Sequence, residues 1–403
     1  MSFEILGHTK DLRSGADVIY CKSSIEKYLE IVGSDFQEFE LQRKRENHKG
    51  YSRLKKDIAD GALLPSITLA IKPHKVINVE TLLENRETLK TFLSGKGNVD
   101  ILDGLQRTYV IKELADESCN FKEGQELLLE YWFEKDIGKL IYRMIVLNSG
   151  QKAMSLRHQI ELLFISLKET IVGEIKGIEL IKENEGLRRT QSSRYILGDV
   201  ASAYQAFMTV STELDKSQII GAGLGNTNIL DSSEEELTKK FENFILYFKR
   251  FKEIDELAWD HYKSNTYKLS ESDDEELAEL KSIKKPTQDQ NIRIVELSAY
   301  KNSHMWLGKD NVMMGLFCAI SSYLGGKKEN RVNVALDRLE NSLRENENDP
   351  LGLLSYEKNK SDINPRKSNV GFATRKLILN GFKEYFRDDG NTPMNECWDL
   401  AVD

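Results

Sequence analysis

Long apolar runs are missing from this chain. No stretch reaches the roughly 18 residues that would cross a bilayer, and the N-terminal MSFEILGHTKDLR has no signal-peptide core. A cytoplasmic protein with no membrane partner is expected. Cysteine is scarce too: Cys21, Cys119, Cys318 and Cys397 stand far apart with no CxxC pair. That excludes a zinc knuckle and a disulfide framework, and leaves buried, reduced thiols as the reading. The six histidines (His8, His48, His74, His158, His261, His304) form no HxH, HExxH or His-Asn-His spacing, so no metal nuclease motif is visible. Positive charge is not in excess either. A net charge of -8 argues against a generally basic nucleic-acid coat, though not against a local groove.

Prolines number six in 403 residues, and Leu, Glu and Lys are plentiful, which points to a helix-rich chain. The length favours two domains. Ser24 can cap a helix that puts Ile25, Tyr28, Leu29 and Val32 on one face. Tyr51 to Gly61 reads as an amphipathic helix ended by the glycine, and Ile67 to Lys72 as a strand. A helix is expected over 79–92, a short strand over Val99–Leu102, a helix over Leu105–Leu114 and a strand over Leu127–Phe133. From Asp136 the period becomes helical, stops at Asn148-Ser149-Gly150, and restarts behind Ser155. Later helices are expected around 195–210, 234–263, 294–303, 311–323, 330–346 and 370–387. The acidic, polar stretch 264–290 reads as a flexible loop.

Asp103-Gly104-Leu105-Gln106-Arg107 sits between a strand and a helix, an arrangement that makes an anion site. Free N–H groups and the positive end of the helix dipole meet there. Gly104 allows a sharp turn and a close ligand approach. Arg107 can fork onto phosphate oxygens, Gln106 can orient a water or contact base or ribose, and Asp103 can hold magnesium or poise a water. The plainer alternative is a helix cap at Asp103 and a surface ion pair at Arg107.

The pentapeptide resembles the DGQQR or DGQHR motif of a ParB/sulfiredoxin-like superfamily. Its members include DndB-type proteins of DNA phosphorothioation systems and the NTPase half of GmrSD-type restriction enzymes. Leu105 departs from the motif, standing where the family has glutamine. Two flanking segments add to the likeness. Arg45 to Ile71 resembles the arginine, helix, glycine and Pro-Ser-Ile strand that opens that fold, and Leu147 to Ser155 resembles its asparagine-glycine turn. The match covers about residues 40–165. It implies catalytic roles for Asp103, Gln106 and Arg107 and nucleotide contacts from Gly104, Thr108, Arg45, Asn148 and Lys152. It also implies a nucleoside triphosphate with Mg2+ at Asp103. For Asn148 a helix C-cap, and for Arg45 and Lys152 a solvated charge, stay open as alternatives.

Ile219 to Asn226 imitates a dinucleotide fingerprint, but its third glycine comes one position early and no helix follows. A loop is the better reading. Two basic islands have the composition of phosphate contacts: Arg188, Arg189 and Arg194 before one helix, and Arg366 and Lys367 before another. The alternative for each is a solvated loop that caps the helix. The expected architecture is α+β: a ParB/sulfiredoxin-like α/β domain over 1–165, then a mainly α-helical domain over 166–403 for partner or DNA contacts. The expected function is nucleotide binding and hydrolysis by a sensor or regulator in a prokaryotic or phage DNA modification and defence system. The alternative is a non-catalytic DNA-binding regulator of the DndB type.

Overall fold

A computed structural model describes the chain apart from residues 1, 34–48, 77–80, 83, 137, 141, 144–163, 165–167, 182–188, 214–233, 264–269, 327, 346–347, 364–368 and 403. Two compact units are present. The first comprises Met1–Glu174 with Leu230–Glu242, and the second Ile175–Ile229 with Asn243–Asp403. The first is mixed α/β and the second mostly helical.

The first unit is built on a five-stranded sheet in the order β1-β2-β5-β3-β4. Its strands are β1 (Phe3–Lys10), β2 (Asp17–Ser24), β3 (Ile67–Ile71), β4 (Val99–Asp103) and β5 (Glu126–Phe133). Neighbours run antiparallel except β3 and β5, which are parallel. All five residues of β3 are buried, as a strand flanked on both edges and covered on both faces requires. β2 instead alternates: Ile19 and Cys21 enter the main core, while Val18 packs with Ala16 and Trp132 in a smaller cluster. Helix α1 (Ile25–Val32) starts where expected, with the Ser24 hydroxyl accepting from the Lys27 N–H. It buries Ile25, Tyr28, Ile31 and Val32 against the sheet. Helices α2 (Lys49–Ala59) and α3 (Arg86–Leu93) add Ile58, Leu89 and Leu93, and α4 (Leu105–Asp116) adds Val110, Ile111 and Leu114.

In the second unit a short parallel pair, β6 (Glu179–Ile181) and β7 (Arg194–Ile196), precedes α6 (Leu197–Thr209), α5 (Lys168–Glu174) having closed the first unit's main segment. From α7 (Glu234–Tyr262), Phe244, Phe248 and Phe251 recur at helical spacing and stack nearly parallel. Phe317 of α10 (Asp310–Gly325) packs against all three. Gly381, in α13 (Val370–Arg387), lets Trp398 lie flat on the backbone; an added Cβ would stand 2.1 Å from the indole. Helices α11 (Glu329–Arg344), α12 (Leu353–Ser361) and α14 (Met394–Leu400) also belong to this unit.

One expectation is corrected here. Residues 264–269 of the stretch 264–290 lie outside the described residues, and the remainder holds helix α8 (Glu271–Ser282) and the start of α9 (Gln288–Tyr300). Ser270 and Asp273 form a capping box, as do Thr287 and Gln290. Acidic residues in the first turn of α8 favour its start through the dipole, and Arg293 pairs with Asp273 and Glu276 across the two helices. The acidity that read as a loop is the sign of a capped helix. No helix among the described residues is long and apolar enough to cross a membrane.

Candidate functional site

The β4–α4 corner is shaped by a register shift. β3 pairs Leu69 with Ile101 but Thr68 with Asp103, so Leu102 is accommodated as a bulge just before the turn. Gly104 then takes the left-handed conformation, φ +95°, as the N-cap of α4. As a glycine it has no side chain with which to cap the first-turn N–H groups. Gln106, in that first turn and beside the positive end of the dipole, is exposed. Gly104 is also packed tightly beneath: a Cβ there would lie 3.0 Å from Ile67 and 3.2 Å from the Arg107 guanidinium.

Arg107 ties three segments together. Its Nη2 donates to Asp103 Oδ2 at 2.7 Å, and its Nη1 donates to the backbone oxygens of Pro65 and Ser66. The Pro-Ser-Ile segment and the Asp-Gly motif, separate in the sequence, are thus one structural element. The side chains of Arg107 and Asp103 are 13% and 16% exposed, so the pair is half-shielded rather than fully solvated.

Thr108 does not lie open to a ligand, and its expected nucleotide contact is corrected. It is fully buried, its hydroxyl donates to the Gly104 carbonyl, and Tyr28 Oη shares a 2.6 Å hydrogen bond with it. Burial pushes the Tyr28 phenol well above the ordinary tyrosine range, so it stays protonated. The sequence places Tyr28 only on the inward face of its helix; eighty residues separate it from Thr108, and only the fold joins them.

Arg45, Asn148 and Lys152 lie outside the described residues, as do Arg188, Arg366, Lys367 and the glycine-rich run at 221–225. Arg189 is placed in the interior rather than on a phosphate-facing surface. It forks onto Asp255, which is 0% exposed and also accepts from Tyr195 Oη, so its charge is already matched inside the unit. Arg194 pairs with Glu179 at 2.8 Å and donates to Thr190.

No cluster of three or more His, Cys, Asp or Glu suited to a metal occurs among the described residues. Asp103 as a lone carboxylate still fits magnesium carried in on a nucleotide, because that ion is commonly held by one or two carboxylates plus phosphate oxygens. The cysteines are free, and burial pushes the thiols of Cys21, Cys318 and Cys397 up to about 12, which removes them as nucleophiles. Comparison with protein-family models, with curated proteins and with solved structures finds no match.

Proposed function

We propose that the first unit is a ParB/sulfiredoxin-like nucleotide-binding domain that takes a nucleoside triphosphate at the β4–α4 corner and hydrolyses it slowly. The observation that carries this reading is the uncapped N-terminus of α4 behind a left-handed glycine, with Asp103 and Arg107 locked at its rim. Phosphate oxygens would take the first-turn N–H groups, Gln106 would orient the attacking water, and Asp103 would hold the magnesium ion or that water. Magnesium would supply charge neutralisation on the phosphates. Thr108 and Tyr28 would act from below by fixing the Gly104 carbonyl. The setting that agrees with the motif is a cytoplasmic sensor or regulator of DNA modification and defence, with DNA and other proteins of such a system as partners.

A second reading is favoured by one specific observation. Arg107 spends Nη1 on Pro65 and Ser66 and Nη2 on Asp103, which suits a fixed scaffold better than a mobile phosphate ligand. Together with Leu105 in place of glutamine, this favours a non-catalytic DNA-binding regulator that keeps the fold without turnover.

The two readings separate on phosphate release from each nucleoside triphosphate, with and without DNA. Wild type is compared with Asp103→Asn and Gln106→Ala, each checked for retained fold by circular dichroism. Release that falls in both variants supports hydrolysis. Background release in every condition, with DNA binding retained, supports the regulator instead.

A further inference from the structure

The second unit gathers positive charge around Trp259, near the end of α7. The Arg189 guanidinium lies 5.1 Å from the indole centroid, the Lys263 amine 5.7 Å, and the His304 ring meets its edge at 4.5 Å. Arg189 also donates to the Met305 carbonyl, and it presses against the backbone at Gly308, where an added Cβ would stand 2.2 Å from Nη1. Lys309, the next residue, repels both Arg189 and Lys360, and joins Lys263 and Arg189 in acting on His304.

Carboxylates match only part of this charge. Asp255 takes Arg189 and Glu357 takes Lys360, while Lys263 and Lys309 make no ion pair among the described residues. Both lysines are exposed as whole residues. Lys309 is reached by solvent and yet crowded by protein, so desolvation holds its pKa below the ordinary lysine range. One donor in the same place lacks an acceptor: Ser303 Oγ is buried with no hydrogen-bond partner among the described residues. Glu357 offsets only part of the repulsion on Lys309; cations in excess of their carboxylates raise the free energy of the free protein, and a multiply charged oxyanion relieves that repulsion while accepting from the Ser303 hydroxyl.

We propose that Lys263, Ser303, His304 and Lys309, arranged around Trp259, form a binding site for phosphate groups. The site stands apart from the nucleotide reading of the first unit and does not depend on it. It recognises the phosphate and not the base, because Trp259, Trp306 and Tyr356 are 5%, 2% and 3% exposed and have no free face for stacking. The phosphate can belong to a free small molecule or to a DNA backbone, and the two sources differ in a measurable way.

The test uses the full chain and a Lys263→Gln/Lys309→Gln double variant, in which both replaced side chains are exposed and the thermal midpoint should hold. Inorganic pyrophosphate and a short DNA duplex are titrated separately, each at several salt concentrations. For a backbone site the duplex binds the wild type, and in the double variant its salt slope falls by about 1 for each lysine removed. For a small-molecule site pyrophosphate binds the wild type and the double variant loses it, with the duplex bound weakly by both. Absence of wild-type binding to either probe, or equal binding by the double variant, overturns the proposal.

Discussion

Arg107 and Asp103 face each other across the first turn of α4, 2.7 Å apart, with Gly104 between them in the left-handed conformation. The same guanidinium holds the backbone of Pro65 and Ser66 just ahead of β3. The corner is therefore closed by one side chain acting on a strand end, a loop and a helix start. Whatever ligand meets the uncapped N–H groups meets a rigid frame.

Replacing Arg107 with alanine should destabilise the first unit by about 1–3 kcal/mol, because two carbonyls and a half-shielded carboxylate lose their donor together. Lysine should recover only part of this, since a point charge cannot serve Asp103 and the Pro65–Ser66 backbone as a planar fork does. Urea unfolding followed by circular dichroism measures both. An Arg107→Ala chain with an unchanged midpoint would show that the clamp is incidental.

Gly104→Ala should cost about 1–2 kcal/mol from the left-handed backbone alone, with further loss from crowding against Ile67. Gly104→Asn isolates the two effects, because asparagine tolerates positive φ better than alanine but is bulkier. If crowding dominates, asparagine should be the worse variant; if backbone strain dominates, alanine should be. Equal and negligible changes in thermal midpoint would contradict the packing described at this corner.

Much of this corner was legible from local pattern. Ser24 as a cap, the strand before Asp103 and the helix after Gly104 all follow from rules that act within a few residues. β1 was not recognised, because its outer residues are mostly exposed and the Phe3–Lys10 run lacks a clear apolar alternation. Helix α8 was hidden by its acidity, which resembles a solvated loop until the capping box and the Arg293 partnership are considered. Thr108 and Arg189 misled for one reason: a hydroxyl or a guanidinium has the same sequence signature whether its partner is a ligand or a buried group brought from far along the chain. Tyr28 and Asp255 are those partners, and nothing near Thr108 or Arg189 announces them.

Asp255→Ala should be among the most damaging single changes in the second unit. It would strand the Arg189 guanidinium, 10% exposed, and free the Tyr195 hydroxyl in an apolar surround. Breaking a buried pair from one side costs about 3–5 kcal/mol. An Arg189→Met/Asp255→Leu double replacement should lose less than the single one, because no charge is left behind. Expression yield and thermal midpoint compared across the two variants decide it: a double variant no better than Asp255→Ala would mean that packing, not charge, is what the site provides.

His304 should make the second unit sensitive to mild acid. Burial lowers its pKa from the ordinary 6.5, and Lys263, Arg189 and Lys309 lower it further. The unfolded chain then binds a proton at a pH where the folded chain refuses it. Stability consequently rises with pH through the interval between the lowered value and 6.5; below that interval both states carry the proton and this group takes nothing further away. Glutamine keeps a neutral polar group and cannot take the proton, so His304→Gln should lose less stability than wild type between about pH 7.5 and about pH 5.5. Phosphate bound beside the imidazole would oppose that lowering by favouring the charged ring, and saturating pyrophosphate should then flatten the wild-type profile. Parallel pH profiles for wild type and His304→Gln would mean that His304 does not titrate in this interval, and that the cations around Trp259 do not act on it as the geometry requires.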